Sequence, residues 1–345
     1  MNSDWQAFLL GRGAVLHEGV VTRFDKSLQE LLATQNDTVL CDLSQIGTLL
    51  ISGTDAQPFL QNLLSNDICE VSSSHAQLSS LNTAKGRMLA TMLIWRDGDD
   101  YRLQIPRILT EAILKKLSMY VLRAKVKITD VSDASISFGL SGPDVQNILS
   151  KRFGELAQTP LGFISTPEAS VIMISDTRFQ INTITQHAAA LWEVFSRHAQ
   201  PVGSGCWDWL NIRSGIPVIL PQTQEQFVPQ MVNLDLIGGV NFKKGCYPGQ
   251  EIVARTQYLG KLKKRMYLAH IDCDETPQPG DELYSAEMEG QACGMLVNTA
   301  PAPAGGYDVL AVVQTSSRET QAVHLKSLQG STLQFLKMPY SLENT

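Results

Sequence analysis

The stretch "GGVNFKKGCYPGQEIVAR", residues 238–255, places a cysteine between two lysines and a glycine-bounded turn. Tyr247-Pro248-Gly249 predicts a type II turn, because proline suits the second position and glycine tolerates the positive φ of the third. Lys243 and Lys244 would favour a thiolate at Cys246 if their side chains face it. Free cysteine otherwise packs as a small buried hydrophobe. These residues alone leave Cys246 open to both interpretations, a reactive or contact thiol and a packing side chain.

The composition predicts a globular protein of more than one domain. A chain of 345 residues exceeds one ordinary core, and 43% hydrophobic with 18% charged residues is typical of globular proteins. Apolar runs such as "LATMLIW" (89–95) have the length of a strand, and Asp4 precedes the first short apolar patch, an order unlike that of a secretory signal. We therefore expect a cytoplasmic protein with no membrane partner.

The net charge of −6 argues against stable nucleic-acid binding. A local basic cluster nevertheless follows the opening stretch, and it suits either an anionic ligand or a solvated strand edge protected by lysines. Its members are Arg255, Lys261, Lys263, Lys264 and Arg265.

The cysteines and histidines do not form a metal-binding pattern. The chain has six of each, with no C-x-x-C, no H-x-x-x-H and no cysteine–histidine grouping. It also has neither a Walker A loop nor G-x-G-x-x-G, so nucleotide binding has no support. We expect that any metal centre is not held by this chain alone.

The order of the predicted elements indicates α+β architecture. Residues 1–255 mix strands, helices and hairpins in two subdomains, roughly 1–130 and 131–255. One hairpin turns at Asp97-Gly98, and a helix after residue 107 gives way to a strand near Lys125. Residues 256–345 contain six short predicted strands separated by Pro/Gly-rich turns, which favours a C-terminal antiparallel β-barrel.

The opening stretch closely resembles the K-G-C-[YF]-x-G-Q-E signature of the YgfZ family. Other segments extend the resemblance along the chain: "ISGTDAQPFLQNLLSNDI", "NTAKGRMLATMLIWRDGD", "LSMYVLRAKVKI", "NIRSGIPVI" and "MPYSLE". The resemblance implies the fold of the aminomethyltransferase (glycine-cleavage T-protein) superfamily, in which a folate-binding α+β region precedes a C-terminal β-barrel.

The resemblance also implies a function. It is that of a folate-binding accessory protein for the assembly or repair of iron–sulfur clusters in client enzymes, including tRNA-modifying methylthiotransferases, so that tRNA modification is an indirect effect. Its partners would be iron–sulfur enzymes or cluster-assembly proteins, and Cys246 would be the critical thiol. Two alternatives remain: a folate-dependent one-carbon transferase with Cys246 as nucleophile, and a folate-binding module without chemistry.

The residues that match the aminomethyltransferase acid motif differ from it. Superfamily enzymes carry G-G-x-x-D-D, whereas residues 86–91 here are "GRMLAT". Ala90 and Thr91 cannot accept a proton at neutral pH. We therefore do not expect a classical aminomethyltransferase.

The resemblance carries over a set of contacts for tetrahydrofolate or a derivative. Trp207 matches a tryptophan that relatives use at the folate site, the alternative being a core tryptophan. Arg213 replaces a carboxylate that reads the pterin edge, and Ile46 replaces an aromatic residue. Three polar residues at the matching cleft could meet a polyanionic ligand or form an ordinary polar turn. These are Asn82, Lys85 and Arg87.

The remaining motif residues are expected to shape the loop. Gly245 and Gly249 flank the cysteine and make it approachable. Gln250 and Glu251 are expected to orient the loop. Glu251 would pair with Lys244 or Arg255, the alternative being a base toward Cys246.

Overall fold

The computed structural model describes residues 1–258 and 262–342. The chain forms two compact units, each assembled from separate segments. The first unit contains Met1–Phe59, Ile68–Gln77 and Met92–Trp207, and the second contains Leu60–Asp67, Leu78–Thr91 and Asp208–Thr345. Two short segments from the first hundred residues therefore fold with the C-terminal part of the chain.

Helices and strands alternate through the first two-thirds of the chain, as the sequence predicts. The helices are α1 (Ser3–Gly11), α2 (Ser27–Asn36), α3 (Ala56–Gln61), α4 (Thr110–Val121), α5 (Val145–Phe153), α6 (Thr185–Phe195), α7 (Ser204–Arg213), α8 (Gln250–Tyr258) and α9 (Thr315–Thr320). The first strands are β1 (Val15–His17), β2 (Val20–Arg23), β3 (Val39–Asp42), β4 (Ile46–Ser52), β5 (Gln77–Asn82), β6 (Met88–Asp97), β7 (Asp100–Pro106), β8 (Lys127–Asp130), β9 (Ser135–Ser141), β10 (Phe163–Ser165), β11 (Ala169–Ser175), β12 (Arg178–Ile184) and β13 (Gln200–Val202). The C-terminal strands are β14 (Lys264–Ile271), β15 (Glu282–Tyr284), β16 (Ala292–Pro301), β17 (Tyr307–Gln314), β18 (His324–Leu325) and β19 (Gln334–Phe335).

A six-stranded sheet in the order β10-β11-β12-β9-β3-β13 organises the core of the first unit. Its ladders are antiparallel except for β13, which pairs with β3 in parallel. Trp192 stands edge-on to both Trp5 and Phe138, with ring centroids 5.5 and 5.9 Å away. Since large aromatic rings bury the most apolar area per residue, this cluster is the main hydrophobic anchor between the sheet and the helices α1 and α6.

A second sheet has the order β5-β6-β7-β4-β8. The predicted hairpin is confirmed: β6 and β7 pair antiparallel up to Asp97 and Asp100, and Gly98 at the turn has φ +63°. The predicted helix-to-strand change near Lys125 is also confirmed, because α4 ends at Val121 and β8 begins at Lys127. Strand β6 begins in the second unit and ends in the first.

The C-terminal sheet is a curled antiparallel half-barrel, so the predicted antiparallel β-barrel is confirmed in its antiparallel strands but does not close. Its order is β18-β15-β16-β17-β14-β19, and all six predicted strands are present. The two edge strands hold only two residues each, and one isolated bridge joins His324 to Thr332. Edge strands this short cannot supply the continuous ladder that closure requires.

A buried carboxylate fixes the start of α7 to the first strands. Glu30 is 1% exposed, and its Oε1 accepts hydrogen bonds from the amides of Phe24 at 2.5 Å and Asp25 at 2.6 Å. Its Oε2 accepts from the amide of Gly203 at 2.8 Å. Three backbone donors thus satisfy the carboxylate in the interior, as buried charge requires.

We expect Glu30→Gln to lower the free energy of unfolding by about 2 kcal/mol, because the amide NH₂ would face a backbone donor and the charge-assisted bonds would be lost. Urea denaturation measures the change. Glu155→Gln, at an exposed position, is the matched control. Equal midpoints for the two variants would contradict the assigned role of Glu30.

Candidate functional site

Lys244 anchors the cysteine loop. Its side chain is buried, and Nζ donates to the carbonyl oxygens of Gln61 and Leu64, both at 2.7 Å, and of Asn66 at 2.9 Å. The ammonium also lies 5.3 Å from the ring centroid of Tyr247. Lys244 therefore anchors the loop, because these carbonyls satisfy the donors of its ammonium.

Asn241 shapes the chain just before the cysteine. Its Oδ1 accepts from the amides of Lys243 at 2.8 Å and Lys244 at 3.0 Å, the pattern of an Asx turn. The backbone amide of Asn241 donates to the carbonyl of Ser65 at 3.0 Å. The loop is thus bound to the 61–66 segment by backbone and side-chain hydrogen bonds.

The predicted turn after the cysteine is confirmed. The amide of Gln250 donates to the carbonyl of Tyr247 at 3.1 Å, and Gly249 has φ +82°. Tyr247 is buried, and burial raises its pKa to about 12. The Nε2 of Gln250 donates to the carbonyl of Lys244 at 3.2 Å, a hydrogen bond within the cysteine loop.

Two glycine turns meet backbone to backbone. A Cβ at Gly249 would lie 2.5 Å from the Cα and N of Gly86 and from the carbonyl oxygen of Thr83. Gly86 itself has φ +70°, and a Cβ there would lie 3.1 Å from Cβ of Ile252. The segment 82–87 and the cysteine motif, more than 150 residues apart in sequence, therefore form one local structure in the second unit.

Cys246 is exposed at the tip of this anchored loop. The neighbouring Gly245 and Lys243 are exposed too, and nothing lies within 4 Å of a Cβ built on Gly245. Exposure excludes the interpretation of Cys246 as a packing side chain. The thiol is available to a partner while the backbone around it is fixed.

Glu251 and Arg255 do not have the predicted pairing role. Both are exposed on α8, and among the described residues neither forms an ion pair within 4 Å. Glu251 instead lies in the first turn of α8, where a negative charge stabilises the helix N-terminus.

Asn82, Lys85 and Arg87 lie on the segment that packs against the cysteine motif. Asn82 is 2% exposed; its Oδ1 accepts from Ser80 Oγ at 3.0 Å, while its buried Nδ2 has no partner in the part of the chain that the structure describes. Lys85 is exposed, and Arg87 donates from Nη1 to the carbonyl of Gln226 at 2.6 Å. This segment supplies one unsatisfied amide and two cations.

The positions that replace the acid motif are structural. Ala90 is fully buried, and Thr91 Oγ1 accepts from the amide of Ile219 at 3.2 Å. Neither side chain offers an ionisable group.

Trp207 lies in the core of the first unit. It is 3% exposed, the guanidinium carbon of Arg178 lies 3.8 Å from its ring centroid, and a Cβ on Gly139 would lie 2.2 Å from the ring. A pterin could stack on this ring only after these neighbours moved. The alternative of a core tryptophan describes the observed position.

Arg213 contacts the C-terminal sheet, and among the described residues no ion pair joins it to the polar segment 82–87. Its Nη1 lies 3.5 Å from Oδ2 of Asp308 on β17, an oxygen that also accepts from Trp209 Nε1 at 2.9 Å. Ile46, half-buried, begins β4 in the first unit and pairs with Pro106. Arg213 is therefore placed by the C-terminal half-barrel.

The predicted basic cluster is partly neutralised. Arg265 forms a bidentate ion pair with Asp235 at 2.8 and 3.1 Å, and Lys261 lies outside the described residues. Within residues 1–258 and 262–342, no group of three or more His, Cys, Asp or Glu residues is arranged to hold a metal ion. In the same residues, no helix has the length and apolar character needed to cross a membrane.

Two residues that stabilise the loop were absent from the predicted set. Asn241 forms the Asx turn, and Gln230 Nε2 donates to the carbonyl of Val253 on α8 at 2.6 Å. Asn241 carried a signal, because asparagine two residues before a turn commonly caps it. Gln230 carried none, since its partner is a backbone carbonyl distant in sequence.

Comparison with known proteins agrees with this architecture. The family model of the GCVT N-terminal domain matches residues 18–244. The crystal structure of the glycine cleavage system aminomethyltransferase T from Bartonella henselae superposes with a TM-score of 0.80 at 15% identity, covering 98% of this chain and 97% of that one. The aminomethyltransferase-like fold is thus confirmed, and the chain is a GCVT-domain protein.

Among curated proteins, the tRNA-modifying protein YgfZ of Escherichia fergusonii is 30% identical over 295 residues, which cover 85% of this chain and 90% of that protein. The protein of the same name from Escherichia coli O45:K1 is 28% identical over the same length. The chain belongs to the YgfZ family.

We expect Lys244→Met to lower the free energy of unfolding by about 3 kcal/mol, because buried carbonyls would lose their donor. Amide hydrogen exchange in residues 241–250 should accelerate, which mass spectrometry can measure. Lys243→Met, at the exposed neighbouring lysine, should change neither quantity. Slow exchange retained in Lys244→Met would refute the anchoring role.

We expect Gly249→Ala to destabilise the protein by about 2 kcal/mol or more, because the residue has positive φ and its Cβ would overlap the Gly86 turn. Gly245→Ala is the matched control, since its φ is not positive and its Cβ position is open. Thermal unfolding of the two variants provides the measurement. Equal effects would contradict the close approach of the two turns.

Proposed function

We propose that the protein is a folate-binding accessory factor that supports the assembly or repair of iron–sulfur clusters in client enzymes. The observation that carries the proposal is the exposed thiol of Cys246 on a loop anchored by the buried ammonium of Lys244. A fixed backbone presents the thiol in one position, which reduces the entropy lost when a partner binds.

A lone thiolate can supply one ligand of a cluster whose other ligands belong to a client or a cluster-assembly protein. The described residues offer no cluster of metal ligands around Cys246, so the partner completes the site. The relatives are named tRNA-modifying proteins. We attribute that effect here to client enzymes such as methylthiotransferases, which carry iron–sulfur clusters.

The folate site is assigned to the region 1–255, with the segment 82–87 as its polar wall. The unsatisfied Nδ2 of Asn82 can donate to a ligand acceptor, and the cations Lys85 and Arg87 suit the carboxylates of a glutamate tail. In the transferase alternative, bound tetrahydrofolate would donate or accept a one-carbon unit; in the accessory role it would be bound without turnover. Trp207 and Arg213 do not fit this set as they lie, because Arg178 covers the indole and Asp308 engages the guanidinium.

Cys246→Ala should fail to restore iron–sulfur enzyme activity in a strain that lacks the native gene, because the contact thiol is removed. The methylthio-modified fraction of tRNA, measured by mass spectrometry, reports the activity. Cys69→Ala, at another exposed cysteine, is the control and should restore it. Full restoration by Cys246→Ala would refute the proposal.

Binding and turnover assays on the purified protein distinguish the accessory role from one-carbon transfer. Purified protein should bind tetrahydrofolate, and Lys85→Glu should weaken that binding through charge repulsion. Labelled methylene-tetrahydrofolate should not be turned over. Turnover that disappears in Cys246→Ala would instead favour the transferase alternative.

A further inference from the structure

Exposed side chains line the outward face of α4 and continue onto the residues at its two ends. Three positions lie on the helix at three- and four-residue spacing; one lies in the 3-10 turn before it and one directly after it. They are Ile108, Ala112, Lys115, Met119 and Leu122. Ile108 is 72% exposed, Met119 64% and Leu122 88%. Three large apolar side chains therefore face water along one short helix and its two ends.

The opposite face of α4 already forms the helix's contact with its own unit. Thr110, Ile113 and Leu117 are buried there. A surface helix needs one such apolar face, and its outer face is ordinarily polar. The outer row is therefore additional to what the fold of the first unit requires.

Basic side chains lie within this row and follow its C-terminal end. Lys115 lies within it, and Arg123, Lys125 and Lys127 follow it on exposed positions, whereas Glu111 is the acid on the helix. Among the described residues, none of these four cations forms an ion pair within 4 Å. In a chain of net charge −6, the surface is locally positive and not internally neutralised.

The conformation of Leu122 exposes the end of the row. It has φ +44° and ψ −104°, a region that favours glycine over leucine. Because the Leu122 side chain is almost fully exposed, its packing does not offset the cost of this backbone conformation. Strain of this kind commonly marks a contact site.

We propose that the outer face of α4 is a docking surface for an acidic amphipathic helix of a partner protein. A narrow apolar row matches the seam between two helices, and the cations within and after the row match carboxylates that flank the partner's seam. Phosphate recognition alone would leave Ile108, Met119 and Leu122 without a role. A membrane-surface helix requires a wide apolar face, but the second apolar face of α4 is buried in the protein. The proposal does not rest on Cys246.

The test uses the purified full-length protein and a fluorescein-labelled synthetic peptide about four turns long, with leucines at three- and four-residue spacing and flanking glutamates. A peptide of the same composition, with its leucines distributed around the helix, is the control. Fluorescence anisotropy should show binding of the first peptide only, weakened by salt. Absence of binding, or equal binding of both peptides, overturns the proposal.

Two substitutions connect the binding to this surface. Met119→Glu should weaken peptide binding about tenfold, the loss typical of an interface anchor, whereas Leu28→Glu, at an apolar position of α2 that is 55% exposed, should not. Leu122→Gly should also weaken binding while leaving the thermal midpoint unchanged or higher, because glycine relieves the positive φ. Wild-type binding by Met119→Glu and Leu122→Gly overturns the proposal.

Two further probes test the other occupants. Bulk tRNA and phosphatidylglycerol vesicles are titrated under the same conditions. The expected result is that Met119→Glu leaves their binding unchanged. If instead one of them binds and Met119→Glu or Leu122→Gly abolishes its binding, the surface is a nucleic-acid or membrane site and the proposal fails.

Discussion

The buried ammonium of Lys244 is the contact on which the candidate site depends. A buried cation is costly in the interior unless its donors are satisfied. Here the carbonyls of Gln61, Leu64 and Asn66 accept from it. The segment Leu60–Asp67 consequently folds with the C-terminal unit although the residues on both sides of it belong to the first. This side chain thereby helps to join parts of the chain that lie 180 residues apart, together with the hydrogen bond from the backbone amide of Asn241 to Ser65.

A close approach of two glycines also connects the motif to the 82–87 segment. Gly249 and Gly86 approach so closely that neither position accommodates a Cβ without displacement of its neighbours. The motif thus has glycine where two backbones meet, and it exposes the thiol of Cys246 three residues before Gly249. This arrangement combines a hydrogen-bonded loop with an exposed cysteine, the two features that the proposed contact thiol requires. The row on α4, for which we propose a partner helix, likewise exposes side chains that do not pack within the protein.

The proposed folate contacts depend on more than residue type. Trp207 and Arg213 are suited to a pterin by their chemistry, but each already has a neighbour that occupies the face or group that a pterin would use. Arg178 lies over the indole of Trp207, and Asp308 engages Arg213. Both partners are distant in sequence, so no local pattern announces them. Burial and pairing of a side chain are properties of the assembled unit.

The sequence by itself determined the α+β class, the 97–100 hairpin, the 247–250 turn and the six C-terminal strands, because each follows from local propensity, hydrophobic alternation or glycine and proline geometry. Tertiary structure decided the rest. It left the C-terminal sheet open through two-residue edge strands. It buried the ammonium of Lys244, which anchors the loop through the carbonyl of Leu64. It also brought the 82–87 segment against the cysteine motif. The physical reason is the same in each case: hydrogen-bond satisfaction and exposure depend on partners remote in the chain, which composition and spacing do not encode.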